Sequence, residues 1–376
     1  MKINNGPALL VAVMMLISPP LFAEQMSIGK QIHLSPGHPV VPSHITRASN
    51  GDLLIFGSNA DLGFRPWAIR LTSAGEVRWE FLQGAADGWN DRKERGQRFD
   101  SAVELSDQTT LLCGLQVVNY ERSVLLDRIG MDGRLIDERV IHPDKRQLVG
   151  VNCVRWNDGL ALIGGVAGDP SGTGWLVKLD DKMNPEWQKF GDEYIATEGD
   201  VMSAPAGGFL YLNPSQQDAK GRRASTLFRM SATGAIVARH VFDADDNPTM
   251  VYPAVPRSDL YVALAVDTLK TDVIHLDDQL RGPTRVIELH NAGIKKCLEL
   301  PDGSIAIFGS QFHNIASAAV TRVYKDGTSK GFLVEGAIGS PWYFDAVLTN
   351  NPNVSEFAAV RISNVTDAVV DWISFK

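Results

Sequence analysis

The chain has 376 residues, 44% of them hydrophobic and 21% charged, with a formal net charge of −8 at pH 7. This acidic balance disfavours nucleic acid and anionic membrane surfaces as partners. The sequence shows no Pro/Ser-rich linker and no shift of composition, so one large closed architecture is favoured over two separate domains.

Residues 1–23 have the pattern of a secretory signal peptide. Lys2 precedes an apolar run over residues 8–17, and a Ser-Pro-Pro segment then leads to the small residue Ala23. The run is too short for a membrane anchor, which needs about 20 apolar residues. We therefore expect cleavage after Ala23, a periplasmic or secreted product without membrane insertion, and a single domain over residues 24–376.

A unit of roughly 50 residues recurs after this segment, and that period is typical of propellers and solenoids. Each copy combines an alternating strand, a turn, a short apolar strand that often ends in Gly, and a strand pair joined by an Asp-Gly or Ala-Gly turn. Such turns favour hairpins, because Gly readily adopts positive φ. The apolar strands of the copies lie at residues 53–58, 111–114, 160–165, 209–212, 260–263, 305–310 and 356–360.

The last copy has room for only three strands, near residues 344–349, 356–362 and 368–375. Residues 27–34 form an additional strand ahead of the first complete copy. Pairing this strand with the last copy would close a ring and remove two exposed sheet edges. The sequence therefore predicts an all-β fold, a seven-bladed β-propeller of four-stranded antiparallel blades that is closed by the N-terminal strand.

The repeat resembles that of bacterial exported propellers with quinoprotein-like units, and residues 71–79 carry the best match. This resemblance covers the chain after the signal segment and implies an architecture that hosts enzymes, adaptors and receptors alike. Trp79 and Trp187 occupy the Trp position at the blade end that is typical of quinoprotein propellers. The Gly-His and Trp-Asp dipeptides of the WD40 family do not recur.

In a closed ring, an inner strand from each blade lines one channel. Counting back 13 residues from the second-strand Gly57 and Gly309 gives His44 and Lys296. The corresponding residues of the other inner strands are about Asp100, Asn152, Asp200, Tyr252 and Asp345, and we expect all seven at the channel mouth. The carboxylates could hold Ca²⁺ through oxygen ligands, or shift one another's pKa for acid/base chemistry. The alternative is a hydrated entrance that holds no cofactor.

A second candidate surface is the connection from Gln83 to Arg98, which we expect to be a long charged loop over the channel face. Arg and Trp dominate binding hot spots, and loops on this face would combine them with further aromatic residues. The alternative is a solvated insertion. The candidate partner-binding residues are Trp89, Arg92, Arg95, Phe64, Phe312, Trp342 and Tyr343.

The three cysteines lack any C-x-x-C spacing, which excludes a zinc ribbon and a thioredoxin-type motif. In an oxidising compartment Cys113 and Cys153 are the favoured disulfide pair, because both would lie on inner strands of consecutive blades. Three buried free thiols, with Cys297 as the third, are the alternative.

The sequence also lacks G-x-S-x-G, H-E-x-x-H, a phosphate-binding Gly loop and a repeated Asp-rich calcium motif. It therefore favours a non-catalytic exported module that binds a protein or another ligand, for example an adaptor or an immunity-type inhibitor of a secreted toxin. The alternative is a propeller enzyme, a lyase or hydrolase of a glycan or small ester, that uses the polar residues at the channel mouth.

Overall fold

The computed structural model describes the chain over most of its length, and the described residues contain strands and turns but no helix. No helix in these parts is long and apolar enough to cross a membrane. The described residues are 25–34, 39–60, 65–83, 94–118, 121–142, 147–156, 159–167, 174–191, 201–203, 208–217, 223–231, 233–242, 250–254, 260–265, 270–277, 279–290, 292–313, 315–334, 343–349, 356–364 and 367–375.

These residues form antiparallel four-stranded sheets, which we number as blades in chain order. Blade 1 contains β2 (Val40–Arg47), β3 (Leu53–Asn59), β4 (Arg65–Leu71) and β5 (Val77–Leu82). Blade 2 contains β6 (Glu94–Glu104), β7 (Thr110–Val118), β8 (Glu121–Ile129) and β9 (Leu135–Ile141). Blade 3 contains β10 (Gln147–Trp156), β11 (Gly159–Ala167), β12 (Gly174–Leu179) and β13 (Pro185–Gly191).

The later blades repeat this order. Blade 4 contains β14 (Met202–Ser203), β15 (Phe209–Gln217), β16 (Arg223–Met230) and β17 (Ile236–Val241). Blade 5 contains β18 (Met250–Ala254), β19 (Leu260–Ala265), β20 (Lys270–Leu276) and β21 (Thr284–His290). Blade 6 contains β22 (Ala292–Glu299), β23 (Ile305–His313), β24 (Ile315–Val323) and β25 (Ser329–Leu333). Blade 7 contains β26 (Tyr343–Leu348), β27 (Glu356–Asn364), β28 (Asp367–Phe375) and β1 (Met26–His33).

Consecutive blades contact one another through their inner strands. The strands β2, β6, β10 and β14 are neighbours in that order, and β18, β22 and β26 continue the series back to β2. Contacts between β15 and β18 link the two groups. The predicted fold class, an all-β propeller of four-stranded antiparallel blades, is therefore confirmed.

The N-terminal strand closes the ring as predicted. Strand β1 pairs antiparallel with β28 over the whole of its length, from Met26 opposite Phe375 to His33 opposite Val369. The Leu34 N–H continues this pairing to the Ala368 carbonyl at 2.8 Å. Inside the blade, Gln31 Nε2 donates to Asp371 Oδ1 at 2.8 Å, so the added strand also contacts the core through a buried carboxylate.

The space between neighbouring blades is filled in two complementary ways. In blades 1 to 6 the turn between the third and fourth strands has a residue with positive φ at the same place, here called the turn residue: Gly75, Gly133, Met183, Gly234, Leu280 and Gly327. The turn of blade 5 has a second such residue, Gly282. Where the turn residue is Met183 or Leu280, its own side chain is buried in the core shared with the preceding blade. Where it is Gly133, a Cβ would collide with Trp79 of the preceding blade.

Deleting the residues before Ser35 should lower the melting temperature strongly or make the protein insoluble. The deletion removes β1 and leaves β28 as an unpaired edge next to blade 1. A chain that lacks only the residues before Met26 is the matched control, because it keeps the whole of β1. Thermal unfolding followed by circular dichroism measures the effect, and equal melting temperatures for the two chains would contradict the role of β1 in closure.

Substituting Gly133→Ala should destabilise the protein more than Gly282→Ala. Both glycines have positive φ, which strains an alanine, but only at Gly133 would the added Cβ also collide with Trp79, whereas nothing lies within 4 Å at Gly282. We expect a loss of about 2–4 kcal/mol at Gly133 and about 1 kcal/mol at Gly282. Chemical denaturation measures both, and equal losses would show that the Trp79 contact adds nothing.

Candidate functional site: the inner-strand ring

The strand register brings one residue of each described inner strand to an equivalent place, here called the ring position. It pairs with the second-strand residue that precedes the repeated Gly, as Phe56 precedes Gly57 in blade 1. The described ring residues and their partners are His44 with Phe56, Ser101 with Cys113, Asn152 with Ile163, Tyr252 with Ala263, Lys296 with Phe308, and Asp345 with Val360. Asp200 lies outside the described residues.

Asp100 is not a ring residue, which corrects the prediction for blade 2. The register of β6 shifts between Phe99 and Ser101, so Asp100 is the extra residue of a β-bulge and Ser101 takes the ring position. The Asp100 carboxylate forms an ion pair with Arg98. The other described members of the predicted set, His44, Asn152, Tyr252, Lys296 and Asp345, keep their place in the register.

β-Bulges recur next to the ring position in several blades and help to orient the side chains of the ring residues. The register shifts immediately before His44, Lys296 and Asp345 in the same way as before Ser101. A bulge bends the strand and reorients the side chain that follows. Three charged or titratable groups from blades 6, 7 and 1 therefore come together.

Asp345 is the centre of this group. Lys296 Nζ lies 3.3 Å from Asp345 Oδ1, and His44 Nδ1 lies 3.4 Å from Asp345 Oδ2. The Asp345 side chain is only 4% exposed, whereas 16% of the Lys296 side chain and 32% of the His44 side chain are exposed. The carboxylate is thus buried beneath a cation and an imidazole that both reach solvent.

Backbone groups complete the coordination of Asp345. The Ile45 N–H donates to Oδ2 at 3.0 Å, and the Ala346 N–H donates to Oδ1 at 2.8 Å. Burial acts to raise the Asp345 pKa, but the charge of Lys296 and the hydrogen bonds from His44 and Ile45 outweigh it and hold the pKa below its usual value. Asp345 is therefore an anion with both oxygens engaged, which suits structural pairing better than proton abstraction.

The same backbone contact occurs between blades 2 and 3. Ser101 Oγ accepts a hydrogen bond from the Cys153 N–H at 2.6 Å, just as Asp345 accepts one from the Ile45 N–H. In both cases the acceptor is a ring residue, and the donor is the residue that follows the ring position of the next blade. The ring position thus links consecutive blades.

The calcium site that the sequence allowed needs three carboxylates at the mouth. Within the described residues no group of three His, Cys, Asp or Glu side chains could hold a metal ion. Asp345 faces Lys296 and Asp100 faces Arg98, so each of these carboxylates has a cationic partner. Asp200, the third carboxylate, is not among the residues described.

Only some residues of the predicted partner-binding surface lie within the described part of the chain. Trp89, Arg92, Phe64 and Trp342 lie outside the described residues. Two other members lie on strands instead of loops: Arg95 in β6, which begins at Glu94, and Phe312 in β23. The expected loop from Gln83 to Arg98 is therefore shorter than predicted, because its last residues pair with β7.

Tyr343 is a correction, because it lies in the core of blade 7 and not on a rim. It is fully buried, and its hydroxyl donates to Asp371 Oδ2 at 2.9 Å. Arg361 Nε lies 2.6 Å from the same oxygen. Burial, followed by the charge of Asp371, raises the pKa of Tyr343 well above its usual value. The side chain is part of the network that also receives Gln31 of the closing strand.

The cysteines are free thiols, which agrees with the alternative prediction of three buried thiols and not with a disulfide. Cys113, Cys153 and Cys297 are all buried. Cys113 and Cys153 share one hydrophobic cluster between blades 2 and 3, so the predicted neighbours do meet. Burial raises the pKa of the Cys113 thiol well above its usual value, and the Cys153 thiol adds to this effect.

One perturbed group was not found from the sequence. Asp127 in β8 is fully buried, and neither of its carboxylate oxygens has a hydrogen-bond partner in the described part of the chain. Burial, with a smaller contribution from Glu138, raises its pKa to about 8. In the strand register, Asp127 corresponds to Ile69 in blade 1 and Val177 in blade 3. An acidic residue at a repeat position that is apolar in other blades is the sequence signal that could have identified it.

Comparison with known proteins supports the fold. No family model and no curated protein matches the sequence. Among solved structures, the WD40 β-propeller domain of Doa1 is 11% identical with a TM-score of 0.54, over 93% of this chain and 97% of that chain. Sqt1 from Chaetomium thermophilum is 12% identical with a TM-score of 0.50, over 90% of this chain and 83% of that chain. The chain is thus a β-propeller with WD40-like structural neighbours.

Replacing Asp345 should destabilise the protein and change its acid unfolding. Asp345→Ala leaves the half-buried Lys296 without its carboxylate, and breaking such a pair costs about 3–5 kcal/mol. Because the folded pKa of Asp345 is below its unfolded value of about 3.9, its contribution is full above that pH and is lost as the pH falls through the folded pKa. The variant should lack this part of the acid transition.

The double variant Asp345→Ala with Lys296→Met is the control for this prediction. It removes both charges, so it should recover part of the stability lost in Asp345→Ala. Urea unfolding from neutral to acidic pH measures all three proteins. A single variant as stable as the wild type would show that the ion pair is dispensable.

Proposed function

We propose that the chain is an exported, non-catalytic binding module whose partner is a protein. The observation that supports this most directly is an exposed apolar surface on the outer hairpin of blade 2. The large exposed apolar residues of the described chain are Val77, Met131, Leu135, Ile136, Val140, Ile236, Val237, Val241 and Leu333. Four of them belong to this one hairpin, more than to any other described hairpin.

The surface is formed by a strand at a sheet edge. β9 pairs only with β8, so its other edge faces outward with unpaired backbone groups. Ile136 and Val140 of this strand are 56% and 37% exposed, and Ile136 is the extra residue where the register with β8 shifts. An extended segment of a partner could pair with such an edge while its apolar side chains cover these two residues. β9 also carries the charged residues Asp137, Glu138 and Arg139, but exposed apolar residues grouped on one hairpin indicate an interaction site.

Two finer points of this proposal rest on the sequence. The predicted signal segment over residues 1–23 supports export, and the resemblance of the repeat to that of bacterial exported quinoprotein-like propellers supports a periplasmic setting. An adaptor or an immunity-type inhibitor of a secreted toxin is the specific role that would combine that compartment with a binding surface. The WD40-like neighbours support a scaffold for protein interaction by analogy of fold alone.

The double substitution Ile136→Lys and Val140→Lys should abolish partner binding without unfolding the protein. Both side chains are exposed, and exposed substitutions usually change stability by no more than about 0.5 kcal/mol. Loss of two buried anchors should weaken binding by at least about 2 kcal/mol, roughly thirtyfold. The partner is first identified by co-purification from the native host, and its dissociation constant is then measured by calorimetry with purified proteins.

Val77→Lys is the matched control, because Val77 is an equally exposed apolar residue on the outer strand of blade 1. It should bind like the wild type. A third variant, Trp89→Ala with Arg92→Ala and Arg95→Ala, separates the β9 surface from the candidate rim. Binding that is lost only in this third variant would place the interface on the rim and refute the role of β9.

A further inference from the structure

The interface between blades 5 and 6 differs from the other described interfaces in how the space beside its turn residue is filled. In each of the others a large side chain occupies that space. Where the turn residue is Met183 or Leu280, this side chain is that of the turn residue itself. Where the turn residue is Gly, the side chain belongs to the preceding blade. Gly133 is covered in this way by Trp79, and Gly234 by Trp156 and Trp187.

Between blades 5 and 6 both sides are small. The turn residue is Gly327, and its nearest neighbour from blade 5 is only the Val286 carbonyl oxygen, 3.3 Å from an added Cβ. Equivalent residues of the fourth strands can be found by counting from the first residue of the turn before each strand. By this count Thr284 of blade 5 is equivalent to Trp79 of blade 1 and Trp187 of blade 3. No indole therefore enters this interface.

The same interface contains a cavity of about 220 Å³. Its floor is apolar, since Ile305 and Val323 are almost fully buried and Val286 packs against them. Its rim is polar and includes Thr284, His275 and Lys325. The Lys325 side chain lies over Gly303, and within the described chain its ammonium forms no ion pair with a carboxylate.

The size and lining of the cavity define the class of ligand. An apolar cavity of about 150 Å³ holds one benzene molecule, so 220 Å³ accommodates a somewhat larger planar ring. The repeat itself indicates the ring, because indole side chains fill the corresponding space in blades 1 and 3. The ammonium of Lys325 at the rim would pair with an anionic group.

We propose that the cavity between blades 5 and 6 binds a small aromatic carboxylate, with its ring on Ile305 and Val323 and its carboxylate at Lys325. The ring takes the place that Trp79 and Trp187 fill elsewhere in the molecule. This site is separate from β9, and the proposal stands or falls independently of the protein-binding function.

The test uses indole-3-acetate as the probe and isothermal titration calorimetry with the full chain. The wild type should bind it in a one-to-one complex. Thr284→Trp places the chain's own indole in the cavity, as in blades 1 and 3, and should abolish binding while raising the melting temperature. Leu333→Trp, at an exposed site of the outer strand of blade 6, is the matched control and should bind like the wild type.

A second variant keeps the proposal testable if Thr284→Trp does not fold. Lys325→Met changes an exposed side chain and should weaken indole-3-acetate binding at least about tenfold, which corresponds to 1.4 kcal/mol. Binding of neutral indole should remain within about twofold of the wild type. Absence of binding to the wild type, or unchanged binding in both variants, would overturn the proposal. Equal losses for both probes in Lys325→Met would refute the assigned role of the lysine.

Discussion

The pairing of β1 with β28 is the contact on which the rest of the ring depends. Each blade buries its faces against its two neighbours, so blade 7 can support blades 6 and 1 only when its own sheet is complete. The closing strand also joins a polar network inside the blade. Gln31 from β1 and Arg361 from β27 both contact Asp371, which has no exposure to solvent. Separation of β1 would therefore leave a buried carboxylate with one partner fewer.

A second constraint follows from the shape of a ring, whose blades diverge towards the outside. The outer turns must fill this wedge, and the repeat solves the problem by exchanging volume between two positions. A large turn residue, Met183 or Leu280, accepts the strain of positive φ and fills the space itself. A Gly at the turn avoids the strain and leaves space that an aromatic side chain of the preceding blade fills at Gly133, where it is Trp79, but not at Gly327.

The strands, the closure and most ring positions could be predicted from the sequence, because period-2 alternation and turn glycines are local signals. The error at Asp100 has a specific cause. The spacing of 13 residues that separates His44 from Gly57 and Lys296 from Gly309 leads from Gly114 back to Ser101, so Asp100 was placed one residue too early. Tyr343 was misplaced for a related reason, since it begins β26 and its aromatic ring can serve either a core or a rim.

Other features of the molecule depend on contacts between distant parts of the chain. The burial of Asp127 depends on the packing of blade 2, and a single acidic residue in a strand does not reveal it. The cavity between blades 5 and 6 is lined by residues of two blades, among them Thr284 of blade 5 and Lys325 of blade 6. Each residue alone is ordinary for its position, so only their juxtaposition carries information.

The ring position illustrates how a polar cluster can be assigned a role by comparison within one molecule. At the seam between blades 7 and 1, Asp345 accepts the Ile45 N–H, and two residues further along β2 Arg47 donates to the Leu348 carbonyl at 3.0 Å. Blades 2 and 3 repeat this pair of contacts with other side chains. Ser101 accepts the Cys153 N–H, and Arg155 donates to the Glu104 carbonyl at 2.5 Å.

The two seams share the geometry but not the charge, since an Asp in one corresponds to a Ser in the other. The constant element is therefore a hydrogen-bond acceptor that fixes the register of one blade against the next. Lys296 and His44 then serve to balance the additional charge that Asp345 brings to its seam. The most conspicuous polar cluster of the molecule is thus explained by ring assembly, and surfaces such as β9 and cavities such as that at Thr284 are better places to look for ligands.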